Sequence, residues 1–419
     1  MTERHEQVWV GIDAGKAHHW AVGVNATGEK VLSRKVVNGE DDILALIVAA
    51  REMADEVRWA VDICGRASTL LLALLIAHGQ SVVNVPGRTV NRMSGAYRGE
   101  GKTGANDALV IADTARMRQD FTPLSLPDET VANLQLLTGH RADLIADRIR
   151  LINRLRDALV GICPALERAF DYSAAKGPVV LLTEYQTPEA LRRTGAKQLA
   201  DRLARRAVLS AAEVATRAVE AAQSQVTALP GEKRAAKLVY NLAHQLLSLD
   251  EWIKDTDREI RESFHLDERA EIIESLPGMG PILGAEFLAI VGDLSSYADA
   301  DRLAAHAGLA PVSRDSGRRT GNHHRPKRYH RRLRHVFYMA AQTAMMRPRP
   351  ARDYYLKKRA EGLIHVQALL ALARRRVDVL WAMLRDERPF TSAPPAPNRL
   401  DTIIETHSTS ACGRSSAAG

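Results

Sequence analysis

Aromatic side chains are scarce in this chain: Phe, Trp and Tyr together make up 5% of its 419 residues. Its cores must therefore be packed mainly from Leu, Ala, Val and Ile. The three cysteines, Cys64, Cys163 and Cys412, are too widely spaced for a zinc pattern and do not form a disulfide framework. A reducing, cytoplasmic setting is the expectation. No apolar run reaches the roughly 18–20 residues that cross a bilayer. The opening MTERHEQ is charged and runs straight into strand-like sequence, so no signal peptide is expected. Acidic residues are nearly missing from one stretch. From Arg314 to Arg334 the sequence reads RDSGRRTGNHHRPKRYHRRLR, with Asp315 its single acid. The net charge of +8 is modest, but so one-sided a run reads as a phosphate-binding surface before an ordinary solvated face. Arg314, Arg318, Arg319, Arg325, Lys327, Arg328, Arg331 and Arg332 are its candidate contacts.

At this length the chain has room for two or three domains. The first, residues 1–125, reads as α/β. Short apolar strands are expected at 8–12, 20–25 and 31–37, joined as an antiparallel meander. A helix follows over 41–53, a strand over 57–63, a Leu-rich helix over 69–77, a strand over 81–85 and a helix over 106–118. Three antiparallel strands followed by alternating helices and strands is the order of an RNase H-like fold. Residues 126–268 read as an all-α middle region. Its segment 130–166 carries Leu134, Leu137, Leu144, Ile145, Ile149, Ile152, Leu155 and Leu159 near heptad spacing, which suits either two helices of a bundle or an oligomerising coiled coil. A break is expected at Pro230-Gly231. Residues 269–388 form a third, mostly helical region ending in a long helix over about 334–384, and 389–419 read as a disordered tail.

Three acids occupy related places in the first domain. Asp13 follows the first strand in GIDAGKAHHWAVGV, Asp62 closes the later strand in WAVDICG, and Asp107 lies at the start of the last helix in GKTGANDALVIADTAR. Each alone reads as a turn, cap or helix-dipole residue. Together, on strands expected to be adjacent and on the helix covering them, they form a carboxylate cluster. Such a cluster repels itself unless a cation lies within it, and Mg2+ is the hard cation suited to oxygen donors and phosphate chemistry. His18 and His19 read as surface residues of the hairpin, and Asp113 as belonging to another helix face.

In the third region, LPGMGPILGAEFLAIVGD is a tight turn between helices whose backbone N–H groups could face a phosphate. Ser316 stands before Gly317 inside the basic run. Serine is a poor nucleophile without a base or positive surroundings, which Arg314, Arg318 and Arg319 would supply. By chemistry alone Ser313 competes with it on equal terms.

These motifs, in this order, resemble the transposases of the insertion sequence 110 family, over about residues 8 to 385. The resemblance rests on GIDAGKAHHWAVGV, RGEGKTGANDALVIADTAR, LPGMGPILGAEFLAIVGD and AGLAPVSRDSG with the basic stretch. It implies a RuvC-like DEDD domain joined to a C-terminal serine transposase domain. By it Asp13 is the first acid, Asp62 the second, Asp107 the fourth, and Ser316 the nucleophile that joins covalently to DNA. It further implies a structured bridge RNA as guide, donor and target DNA as partners, and dimers pairing into tetramers. Each active site would take its acids from one subunit and its serine from another. The family pattern Lys-Thr-Asp-x-x-Asp-Ala is broken here, because Gly104 replaces the third acid. Either three acids hold the metal, with waters filling the open positions, or the chain is a nucleic-acid-binding protein of weakened or lost catalysis. A RuvC-like structure-specific nuclease shares the acids but gives Ser316 no role. An ATPase of the sugar-kinase type shares Asp-x-Gly after a first strand, yet no second phosphate loop accompanies it.

Overall fold

The computed structural model describes residues 4–62, 65–97, 103–118, 120–121, 123–124, 128–316, 320–347 and 350–392. These fall into two compact units, 1–128 and 129–419.

In the first unit, β1 (His5–Ala14), β2 (His18–Asn25) and β3 (Lys30–Val37) form the meander. Helix α1 (Glu40–Met53), β4 (Ala54–Asp62), α2 (Thr69–Ala77), β5 (Ser81–Asn84), α3 (Gly87–Ser94) and α4 (Gly104–Met117) follow. The sheet order is β3-β2-β1-β4-β5, antiparallel within the meander and parallel from β1 to β4 and β4 to β5. This strand order is that of an RNase H-like, RuvC-like fold. Alternation along β1 separates the two faces. Val8, Val10 and Ile12 enter the core shared with Ile43, Leu46 and Ile47 of α1 and Leu71 and Leu75 of α2. Gly11 and Asp13 therefore face the other side, where α4 lies. A Cβ on Gly11 would stand 2.3 Å from both the Ala108 carbonyl oxygen and the Ala112 nitrogen, so glycine there lets the helix backbone rest directly on the strand.

In the second unit, α5 (Glu129–Val160), α6 (Pro164–Ala169), α7 (Lys176–Leu182), α8 (Pro188–Arg205), α9 (Ala211–Gln223) and α10 (Glu232–Phe264) come first. The break at Pro230-Gly231 is present, directly before α10. Arg141 pairs with Asp257 at 2.5 Å and Arg148 with Asp250 at 2.6 Å. Partner numbers fall on α10 as they rise on α5, so the two long helices run antiparallel. The heptad-like stripe of α5 is thus spent largely within its own chain: Leu134, Leu144, Ile152, Leu155 and Leu159 are buried, and Ile149 is 55% exposed.

The remaining elements are α11 (Ala270–Ser275), α12 (Pro281–Val291), α13 (Ala300–His306), a ribbon of β6 (Val312–Ser313) and β7 (His323–His324), α14 (Arg331–Met345), α15 (Pro350–Ala360) and α16 (His365–Arg385). Helices α12, α14 and α16 share one core, with Phe287, Phe337, Leu372 and Leu380 fully or almost fully buried. The single long helix expected over 334–384 is instead three helices. Pro350 opens α15, where its fixed φ and missing N–H suit a helix start. Gly362, at φ +92°, turns the chain between α15 and α16 in a conformation that side chains resist. The tail from residue 393 onward lies outside the described residues. Among the described residues no helix is long and apolar enough to cross a membrane.

Candidate functional site

The acids come from three elements of the first unit. In the parallel register of β1 and β4, Asp13 lies directly opposite Asp62. Paired residues of adjacent strands point to the same face, which here is the α4 face. Asp107 sits in the first turn of α4. Thr103 caps that helix, its Oγ1 accepting the Asn106 N–H at 3.2 Å, and the Asp107 N–H reaches the Thr103 carbonyl at 3.0 Å. All three carboxylates are half-buried.

Asp62 bears the clearest electrostatic mark. Burial pushes its pKa above the ordinary carboxylate value, the Gly87 backbone N–H opposes that by donating to it, and the Asp107 charge raises it further. Gly87 was not singled out in the sequence. It opens α3, and a Cβ there would lie 2.6 Å from Asp62 Oδ2. The one available signal was Pro86-Gly87 directly after a strand, a pairing that also marks any turn.

Gly104 stands at the same place. A Cβ on it would come 3.0 Å from Asp13 Oδ2 and 3.4 Å from the Trp20 Cβ. An acid at this position would put its carboxylate beside that of Asp13. Among the described residues no three His, Cys, Asp or Glu side chains stand close enough to hold a metal ion. Like-charged carboxylates hold apart unless a cation lies among them. Their donor chemistry, three carboxylates of hard oxygens with the Asp107 charge acting on Asp62, suits a divalent cation that keeps waters in its shell.

Two neighbours differ in kind. His18 is exposed, as expected of the hairpin, but His19 is 1% exposed. It alternates away from Trp20 onto the opposite face, and burial lowers its pKa. Asp113 is engaged elsewhere on α4, with the Tyr97 hydroxyl at 2.5 Å and Arg116 at 2.6 Å.

In the second unit the basic run begins as a ribbon. Ser313 pairs with His323, its Oγ 3.5 Å from the His323 Nδ1. The Arg314 N–H donates to the Asn322 carbonyl at 2.9 Å, and the Asn322 N–H donates to Asp315 Oδ1 at 2.9 Å. The only acid of the run is thus used in closing the loop. Ser316 is exposed, and so are Arg314, Arg325, Lys327, Arg328 and Arg331. Arg318 and Arg319 lie outside the described residues. Arg332 is different, because its guanidinium meets Glu286 at 2.7 Å and the Thr138 carbonyl at 3.1 Å. It ties α14 to α12 and α5.

Comparison with known proteins gives two family matches: a transposase DEDD model of the IS110 type over residues 10–164, and the transposase IS116/IS110/IS902 family over residues 270–356. The chain is 75% identical to the IS116 insertion-element protein of Streptomyces clavuligerus, over 94% of this chain and 99% of the relative. It is 49% identical to the IS900 insertion-element protein of Mycobacterium paratuberculosis, over 93% and 98%. Among solved structures, Thermus thermophilus RuvC in complex with a Holliday junction substrate matches with a TM-score of 0.23 and 20% identity, over 28% of this chain and all of that one.

Proposed function

The chain belongs to the IS116/IS110/IS902 family of insertion-sequence transposases, and from that premise we propose that it is a DNA recombinase using a metal-assisted acidic site and a serine nucleophile. The observation that supports this reading best is the register setting Asp13 opposite Asp62, with Asp107 on the helix above them. Asp13, Asp62 and Asp107 would hold Mg2+, which supplies charge neutralisation at a phosphodiester. Ser316 Oγ forms a bond to phosphorus, and the bond from phosphorus to one sugar oxygen breaks. That oxygen takes up the proton the serine gives away. Attack on the phosphoserine by the hydroxyl of another strand end reverses the step and joins the new pair, so no high-energy cofactor is consumed. The exposed cations around Ser316 bind backbone phosphates. A bridge-type guide RNA selects the DNA partners, the subunits act as dimers pairing into tetramers, and the reaction takes place in the cytoplasm.

A second reading, a nucleic-acid-binding protein without strand exchange, is favoured by Gly104. One experiment separates the two: recombinant junctions are measured in cells carrying the element's flanks, donor and target, for the natural chain and for Gly104→Asp. Junctions from both chains, abolished by Ser316→Ala, are expected. Junctions from Gly104→Asp alone would mean a folded recombinase that has lost its chemistry at one position. Junctions that persist in Ser316→Ala would overturn the serine mechanism.

A further inference from the structure

The row of residues that holds two of the acids continues across the sheet. Trp20 on β2 lies directly opposite Asp13 on β1, as Asp62 on β4 does on the other side. Lys35 on β3 lies opposite Trp20 in turn. Paired residues of neighbouring strands share a face, so Lys35, Trp20, Asp13 and Asp62 form one line on the α4 side, one residue per strand. Two strand spacings separate Lys35 from Asp13 along that line, about 10 Å.

Trp20 is half-buried, and among the described residues neither apolar core of this unit takes in its ring. A Cβ on Gly104 would meet the Trp20 Cβ at 3.4 Å and its Cδ1 at 3.6 Å, and Asp13 Oδ2 at 3.0 Å. Any side chain at position 104 would therefore enter between the indole and the carboxylate, and glycine leaves the two adjoining. The acidic site thus has a flat apolar ring as its neighbour on one side, and beyond it the exposed Lys35. Aromatic rings pair favourably with other flat rings. A DNA strand whose phosphate reaches the acids carries such a ring next to that phosphate, its base.

We infer that Trp20 stacks on the nucleobase adjoining the phosphodiester at the acids, and that Lys35 takes the next phosphate of the same DNA strand. The inference rests on the recombinase reading above and adds a substrate contact to a site otherwise made of acids. Carboxylates alone repel a strand. A neutral stacking contact holds the nucleotide without competing for a cation, and it reads no sequence, because every base has a π-face.

The test uses the full chain with Mg2+ and a short single-stranded thymidine oligonucleotide containing 5-iododeoxyuridine. Irradiation joins the iodinated base to an aromatic ring stacked on it, and mass spectrometry identifies the peptide. Cross-linking of wild type at Trp20 is expected. Replacing the bases of the strand by abasic sugars should cost wild type roughly tenfold more affinity than it costs Trp20→Leu, which has no ring to lose. Trp20→Phe should behave as wild type in that comparison, which a packing role for the indole does not require. Lys35→Gln should lower the salt slope of binding by about one, and an unchanged slope would remove Lys35 from the contact. Cross-links confined to the second unit, with binding intact, would overturn the stacking role and leave the recombinase reading standing. Cross-links at Trp20 from the matching RNA and none from DNA would overturn it as a DNA contact. A wild-type chain that binds no strand removes both. If Trp20→Leu melts early, the cross-link on the wild-type chain decides.

Discussion

Substituting Gly11 by Ala tests how closely the acidic site depends on the seating of α4. The added Cβ meets two backbone atoms of α4 at 2.3 Å, and a third, the Ala112 Cα, at 2.8 Å. Ordinary contacts of this kind begin about 1 Å farther out. Neither backbone can rotate out of the way, so α4 must move from β1 by about that distance, or the sheet must bend. Overpacking of this order costs roughly 2 kcal/mol. Because α4 also carries Asp107, the same shift draws that carboxylate away from Asp13 and Asp62. Hydrogen exchange followed by mass spectrometry on the full chain reads both effects locally. Amides of α4 and β1 should exchange about thirtyfold faster, as 2 kcal/mol implies, while those of α14 and α16 stay at wild-type rates. A useful control is Gly280→Ala, where the backbone is in an ordinary region and no atom lies within 4 Å of the new Cβ. That change should be neutral or slightly stabilising. Unchanged protection of α4 in Gly11→Ala would refute the claim that strand and helix backbones are in direct contact there.

Other expectations follow from single groups. Burial lowers the His19 pKa, so the folded unit prefers the neutral ring. Its stability is full above the unfolded value of about 6.5 and declines as pH falls from there toward the lowered folded value. Thermal melts between neutral and mildly acidic pH should show that decline, and a His19→Asn chain that declines equally would remove His19 as its source. Asp62→Asn removes a buried charge beside Asp107 while leaving an oxygen for the Gly87 N–H. At neutral pH it should gain about 0.5 kcal/mol or more by denaturant titration and lose strand exchange; a loss of stability would mean the carboxylates do not repel. Arg332→Gln leaves Glu286, whose side chain is 15% exposed, without its partner. It should lower the melting temperature yet keep the salt slope of DNA binding, whereas Arg331→Gln should do the reverse. Equal slopes from both variants would show that Arg331 touches no phosphate.

The sheet was legible because each strand carries its own instruction. Val8, Val10 and Ile12 alternate with Gly11 and Asp13, so one short run encodes both the strand and the face on which the acid emerges. The parallel neighbour repeats the pattern with Trp59 and Val61 on one face, Ala60 and Asp62 on the other. What the sequence does not carry is anything that depends on two distant backbones meeting. Gly11 looks like any strand glycine until α4 is laid over it. Gly87 looks like half of a turn until its backbone is found against Asp62, whose Oδ2 a Cβ there would meet at 2.6 Å. His19, one residue from an exposed histidine, is buried because strand alternation turns it toward α1 and α2; reading the hairpin as surface overlooked that period of two.

The basic run shows the same limit from the other side. Charge density located it, but could not sort its members, because nine similar cations are equivalent in a sequence and unequal in a fold. Arg332 is consumed by a half-buried carboxylate forty-six positions earlier. Arg334, two residues on, is turned onto Tyr329 and meets no acid among the described residues. The difference is one of helical phase on α14: residues two apart point about 200° apart. Arg332 faces α12 and is paired there with Glu286, while Arg334 lies over the Tyr329 ring. That phase is set by where α14 begins, at Arg331 behind the His330 cap, and a start one residue later would turn each side chain by about 100° and take Arg332 off Glu286.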